Sequence, residues 1–251
     1  MSTGNTQQGD TPQVPKGTLV YAIGDIHGQL QLLDALLARI AEDAQGTAGA
    51  QRRIIVFIGD YVDRGPDSAG VITRLSAGLP GGFETCCLRG NHEAMLLGFL
   101  EQPETYADWL MNGADATLES YGVDAPQEDP PPGAVAACRD AFAAALPPAH
   151  LAFLNALPLS YSLGDYLFVH AGIRPGVAIE DQTPEDLMWI RSDFVDCDDD
   201  FGVVVVHGHT PDLEPAVKPN RIGLDTGAWV YGRLTALRLF EAEQSFLSVE
   251  E

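Results

Sequence analysis

Five apolar runs in this chain each end in a side chain able to grip a metal ion, and no other feature constrains the fold as strongly. The clearest is Ile54 to Gly65, Ile-Ile-Val-Phe-Ile-Gly-Asp-Tyr-Val-Asp-Arg-Gly. Ile54 to Ile58 are apolar and mostly β-branched, the signature of a strand buried on both faces. The run breaks at Gly59 and delivers Asp60, Asp63 and Arg64 into a loop. Charges at the end of a buried strand are costly unless partners, hydrogen bonds or a metal compensate them. The other runs end in Asp25 and His27, in Asn91, in His170 and in His209.

The order of the runs predicts an α/β fold. Leu19 to Ile23 reads as a first buried strand, and Leu30, Leu33, Leu36, Leu37 and Ile40 then recur at helical spacing over Gln29 to Ala44. Pro66 suits the first turn of a second helix. Glu84 to Leu88 is a third strand, followed by a helix to about Leu100. This βαβαβα rhythm puts polar residues at strand C-terminal ends, where parallel α/β sheets build their sites. Residues 101–158 break the rhythm and read as a mainly helical insertion placed to cap a site, with an acidic, proline-rich loop inside it. From Leu159 the strand signal returns: a hairpin turning at Gly164-Asp165, a buried strand at Val203 to Val206, and strands at Arg221 to Asp225, Leu234 to Phe240 and Phe246 to Val249. A short helix before Trp189-Ile190-Arg191 has Thr183 or a neighbour as its cap. Residues 1–16 are rich in Ser, Thr, Gly, Gln and Pro and read as a flexible tail, leaving 17–251 as one domain.

Charge narrows the partners. The chain carries 14 Lys and Arg against 36 Asp and Glu, a net charge of −22. No basic surface for nucleic acid can be assembled from that balance. A site handling phosphate would need local positive charge from metal ions or arginine. The cysteines (Cys86, Cys87, Cys138 and Cys197) lack Cys-x-x-Cys spacing and do not form a disulfide framework. With no apolar run long enough to cross a bilayer, the expectation is a cytoplasmic protein with neither a nucleic-acid nor a membrane partner.

Asp25-Ile26-His27 on an extended segment turns both ligating side chains to one side, and one carboxylate such as Asp60 can bridge two ions. Mixed carboxylate, imidazole and amide donors suit Mn, Fe or Zn better than calcium. Two such ions, about 3.5–4 Å apart, would generate a hydroxide and clamp both ends of an in-line displacement. One strand-end motif alone would be an ordinary buried polar residue; five, holding five of the six histidines if the adjoining His92 and His207 are counted, are not. His92 beside Asn91 could protonate a leaving alkoxide if Asp63 fixed its tautomer. Arg64 and Arg191 offer planar forks for phosphate oxygens. A structural ion pair is the competing reading for each, more serious for Arg191. His150, among helical apolar residues, reads as structural.

Gly24-Asp25-Ile26-His27-Gly28, Gly59-Asp60-Tyr61-Val62-Asp63-Arg64-Gly65 and Gly90-Asn91-His92-Glu93 resemble the signature blocks of PPP-type serine/threonine protein phosphatases, within the calcineurin-like metallophosphoesterases. His170-Ala171-Gly172 and Gly208-His209-Thr210 resemble the later histidine blocks, and the short chain with Leu224-Asp225-Thr226-Gly227-Ala228 resembles the compact bacterial and phage branch. The resemblance implies a sandwich of two mixed β-sheets flanked by helices. It implies that Asp25, His27 and Asp60 hold one divalent ion, with Asp60, Asn91, His170 and His209 holding the second, manganese first and iron or zinc as alternatives. It further implies a general acid pair of His92 with Asp63, and phosphate binding by Arg64, Asn91 and Arg191.

The resulting expectation is a phosphoprotein phosphatase acting on phosphoserine and phosphothreonine, and on phosphotyrosine as an extension, by direct attack of the activated hydroxide. A dinucleoside polyphosphate hydrolase of the diadenosine tetraphosphate type is the alternative, and Asp63 and Glu93 favour the former. A non-catalytic scaffold with this fold should have lost a ligand or His92, and every one is present.

Overall fold

The computed structural model of the chain describes residues 11–79, 81–127 and 130–251, so residues 1–10 of the expected tail lie outside the described residues. The first half runs β1 (Thr18–Ile23), α1 (Leu30–Gly46), β2 (Arg52–Phe57), α2 (Ser68–Ser76), β3 (Glu84–Cys87) and α3 (Asn91–Glu101), in the predicted order. The 101–158 stretch carries α4 (Tyr106–Leu110), α5 (Ala114–Ser120), α6 (Ala134–Ala145) and α7 (Pro148–Ala156). The second half runs β4 (Ser160–Leu163), β5 (Tyr166–Val169), α8 (Pro184–Trp189), α9 (Ser192–Val195), β6 (Val204–His207), β7 (Ala216–Lys218) and β8 (Arg221–Gly223), then α10 (Ala228–Tyr231), β9 (Arg233–Phe240) and β10 (Glu243–Glu250).

The strands form two five-stranded mixed sheets, in the orders β10-β9-β1-β2-β3 and β4-β5-β6-β8-β7. In the first, β1, β2 and β3 are mutually parallel and β9 runs antiparallel to β1. In the second, β5, β6 and β8 are parallel and β4 and β7 are antiparallel edges. Strand alternation builds the sandwich. Val20, Ala22, Ile54, Val56 and Ile58 face Phe168, Val204, Val206 and Ile222 across the inter-sheet core. Their neighbours Leu19, Tyr21, Ile23, Ile55 and Phe57 point the other way, onto Leu33, Leu36 and Ile40 of α1. Leu167, Val169 and Val205 leave the second sheet's outer face to pack on Leu187 and Phe194 of α8 and α9. Strands covered on both faces explain why the central runs read as continuously apolar.

Local signals behave as their chemistry requires, with instructive differences. Thr183 caps α8, its hydroxyl accepting from the Asp186 N–H at 3.2 Å. Pro66 lies just before the first turn of α2 instead of inside it, because Asp67 takes the cap and accepts from the Gly70 N–H at 2.7 Å. His150 is buried between the Thr73 hydroxyl (3.2 Å) and the Tyr121 hydroxyl (2.9 Å), a structural histidine. Pro12 to Val14, assigned by composition to the tail, are seated on the fold. Val14 is buried, its N–H donates to the Glu241 carbonyl, and Gln13 exchanges two bonds with Asp165. Such docking uses main-chain groups, which composition does not register. All four cysteines are free. No helix among the described residues is long and apolar enough to cross a membrane.

Candidate metal centre

Strand ends converge on one point. β1 delivers Asp25 and His27, β2 delivers Asp60, β3 leads to Asn91 and His92 at the start of α3, β5 delivers His170 and β6 delivers His209; all seven are buried. The backbone is bent into place to achieve this. Among the described residues, six non-glycine residues have positive φ, and five of them are His27, Asp60, Asp63, Arg64 and His209. Left-handed backbone on ordinary residues costs about 1–3 kcal/mol each and clusters where function demands it. Gly59 makes the turn from β2 at φ 104°, and a Cβ there would come within 2.7 Å of Gly90 N and 2.9 Å of His170 Nδ1.

Hydrogen bonds fix the imidazoles. His27 Nδ1 donates to the Val62 carbonyl (2.8 Å) and His170 Nδ1 to the Ile58 carbonyl (2.9 Å), since a carbonyl can only accept. Their Nε2 atoms are thereby aimed inward, the outer-partner arrangement that orients metal-binding histidines. His27 Nε2 lies 3.6 Å from Asp60 Oδ2, and His170 Nε2 lies 3.4 Å from Asp60 Oδ1 and 2.8 Å from Asn91 Oδ1. Asp60 stands between the two histidines, one oxygen toward each.

Two groups of donor atoms result, each within 4.8 Å: His27, Asp60 and His92, and Asp60, His170 and His209. They share Asp60. Asp25 stands outside both groups, and its carboxylate accepts from the His209 N–H, at 3.0 and 3.3 Å. A carboxylate holding one N–H keeps lone pairs for an ion.

The donors fit divalent ions. His209 Nε2 is buried and has no hydrogen-bond partner among the described residues, a cost a metal would remove. Burial and the neighbouring His92 push His27 down to about 3, and burial with His170 pushes His209 down to about 2, so both imidazoles present lone pairs. Burial and Asp225 raise Asp25, and burial raises Asp225 to about 6. His170 goes the other way: burial opposes its charge, but Asp60 overcomes that and lifts it to about 10. A divalent ion held between Asp60 and His170 would offset the same carboxylate charge.

Beside this centre, His92 Nδ1 donates to Asp63 Oδ2 at 2.6 Å and Nε2 points inward, 3.8 Å from Asp60 Oδ2. Burial opposes protonation of His92, yet Asp60 and Asp63 together raise it. Asp63 is held in turn by Trp109 Nε1–H (2.9 Å) and the Thr117 hydroxyl (2.6 Å), both from the 101–158 stretch. Nothing in the sequence around Trp109 or Thr117 announces this, since each lies about fifty residues from Asp63 with no shared periodicity. Glu93 is the other residue the sequence pattern underused. Its buried carboxylate accepts from the N–H groups of Asp60 (2.9 Å), Tyr61 (2.7 Å) and Gly90 (2.9 Å), stapling the Asp60 loop to α3. Its position three residues after Gly90, at the helix start, is the capping signal that could have revealed it.

The arginines differ. Arg64 approaches the centre directly, Nη1 donating to His27 Nε2 at 3.0 Å. Arg191 sits at the rim, its Nη1 donating to the His209 carbonyl at 2.9 Å. His207, outside both donor groups, hydrogen-bonds the Gly208 carbonyl through Nδ1. An apolar cavity of about 370 Å³ between α1 and α2 carries only the Asp34–Arg74 pair and no convergent chemistry.

Two mixed sheets whose strand ends gather buried Asp, His and Asn around a shared carboxylate define a hydrolase built on a metal centre. The chain belongs to the calcineurin-like phosphoesterase family, which it matches over residues 18–243. That family uses a dinuclear divalent centre. The chain is similar to serine/threonine-protein phosphatase 1 of Salmonella typhimurium, 35% identical over 96 residues that span 38% of this chain and 39% of that enzyme. It is also similar to an asymmetrical bis(5'-nucleosyl)-tetraphosphatase of Oceanobacillus iheyensis, 28% identical over 90% of both chains. Among solved structures it shares the fold of a candidate diadenosine tetraphosphatase, at 23% identity and TM-score 0.62, covering 96% of this chain and 95% of that one.

Proposed function

We propose that the protein is a metal-dependent phosphomonoesterase that removes phosphate from phosphoserine and phosphothreonine side chains. In this reading Asp25, His27 and Asp60 hold one divalent ion, and Asp60, Asn91, His170 and His209 hold the other, with manganese preferred over iron or zinc. Bound there, the ions supply an activated water and neutralise phosphoryl charge. Arg64 fixes the phosphate through its planar donors, Asn91 contributes its amide, and Arg191 adds the donors not used on the His209 carbonyl. Asp63 keeps the proton on His92 Nδ1, leaving Nε2 to hand a proton to the departing oxygen.

The observation that carries the substrate class is the His92–Asp63 pair, backed by Trp109 and Thr117. A serine or threonine alkoxide is a poor leaving group and needs that proton, whereas a nucleotide leaves a polyphosphate already as a stable anion. A second reading, hydrolysis of dinucleoside polyphosphates, is favoured by the similarity that spans 90% of a tetraphosphatase. Turnover by manganese-loaded protein of a phosphothreonine peptide and of diadenosine tetraphosphate separates them. The proposal expects manganese-dependent release from the peptide at the higher kcat/KM. Faster cleavage of the dinucleotide would transfer the chain to the second reading.

A further inference from the structure

Of the chain's twelve arginines, six have a carboxylate partner among the described residues and six, Arg64 among them, do not. Arg52, Arg74, Arg139, Arg174, Arg233 and Arg238 each pair with a carboxylate. Arg64 pairs with none within 4.0 Å among the described residues, although Asp60 and Asp63 flank it in sequence. Instead its guanidinium carbon lies 5.0 Å from the centroid of the Trp229 ring. Its stem is confined from the other side. The Arg64 N–H donates to the Gly113 carbonyl at 3.1 Å, and a Cβ on Gly113 would meet Arg64 N and Cγ at 2.8 Å. Trp229 is 43% exposed, on a four-residue helix between left-handed Gly227 and Gly232. A tryptophan so placed adds little to the core, and its contact with Arg64 gives it another use.

We propose that Trp229 is a positioning residue, its indole holding the Arg64 guanidinium ready for phosphate without occupying any of its N–H donors. A carboxylate partner would neutralise the charge and consume the donor fork; an aromatic face attracts the cation and does neither. The arginine side chain otherwise surrenders much rotamer freedom on binding an anion, and pre-ordering it reduces that loss. This inference rests on Arg64 being a phosphate-binding residue, as proposed above.

The test is competitive inhibition of the manganese-loaded enzyme by inorganic phosphate, with KM and kcat on the phosphothreonine peptide. Trp229→Ala and Trp229→Leu should each raise the phosphate Ki about three- to fivefold, the size of an exposed cation–π contact. KM should rise with it, kcat should change little, and Trp229→Phe should recover most of the loss. In an Arg64→Ala background the same tryptophan substitutions should add nothing. An unchanged Ki in Trp229→Ala, with Arg64→Ala raising it, overturns the inference and leaves the phosphate role of Arg64 standing. Equal costs of Trp229→Ala with and without Arg64 also overturn it. If Arg64→Ala itself leaves Ki unchanged, the phosphate role fails and the inference falls with it.

Discussion

His92→Asn should lower kcat on a phosphothreonine peptide about 10²–10⁴-fold, the usual range for loss of a general acid. The loss should be much smaller on p-nitrophenyl phosphate, whose phenolate departs with little help from a proton. Bound manganese should be unchanged, because in this account His92 gives its Nε2 to the leaving group. That last readout matters, since His92 Nε2 also lies in one donor group with His27 and Asp60. Equal losses on both substrates, accompanied by a missing ion, would make His92 a ligand and remove the argument for an alkoxide leaving group. Asparagine is the informative replacement: it can still donate to Asp63 but cannot transfer a proton.

The second large effect is on stability. Trp109 is fully buried, with its ring 5.0 Å from Phe99 and 5.9 Å from Phe142, and its indole N–H bonds Asp63. Trp109→Ala should cost about 3–5 kcal/mol through lost packing and the cavity left behind. For a chain of this size the melting midpoint should then fall on the order of 10 °C. Trp109→Phe should keep most of the packing while losing the N–H, a cost of about 1 kcal/mol. Its kcat should nevertheless fall, because Asp63 then holds His92 less firmly. Both variants are read by thermal melting and steady-state kinetics. A midpoint for Trp109→Ala within about 2 °C of wild type would show that the helices of the 101–158 stretch do not brace the site as described.

Much of the centre was legible because its residues sit where a strong pattern ends. A buried parallel strand announces itself by a continuous apolar run, and the first polar residues after it must be at the strand end. Asp25, His27, Asp60, Asn91, His170 and His209 were found in that way, and the structure brings them to one point. The parts that escaped lack any such local marker. β7 is a three-residue edge strand, Ala216–Lys218, with no buried residue and too short to show alternation. Val14 is a single apolar residue among prolines and polar neighbours, and its docking depends on main-chain pairing. Thr117 and Trp109 reach Asp63 only through tertiary packing. The orientation of Asp25 toward the His209 N–H likewise depends on β1 and β6 meeting, which no local spacing encodes.

Arg191 shows the same limit in one side chain. Its position after Trp189 offered two readings, a phosphate fork or a structural pair. Among the described residues it has no carboxylate partner; its Nη1 holds the His209 carbonyl, leaving its other donors for phosphate, while Trp189 packs on the His209 ring, 6.4 Å between centroids. Arg191 therefore influences His209 through the main chain whatever else it binds.

The central claim is that this buried cluster is a two-ion centre on which activity depends. Metal-stripped protein should be titrated with manganese while bound metal and phosphothreonine-peptide hydrolysis are followed on the same samples. The account predicts two ions per chain, activity only as the centre fills, and loss of both binding and turnover in Asp60→Asn, whose two oxygens serve both donor groups. Full activity in the stripped protein, or unchanged binding of two ions by Asp60→Asn, would contradict it.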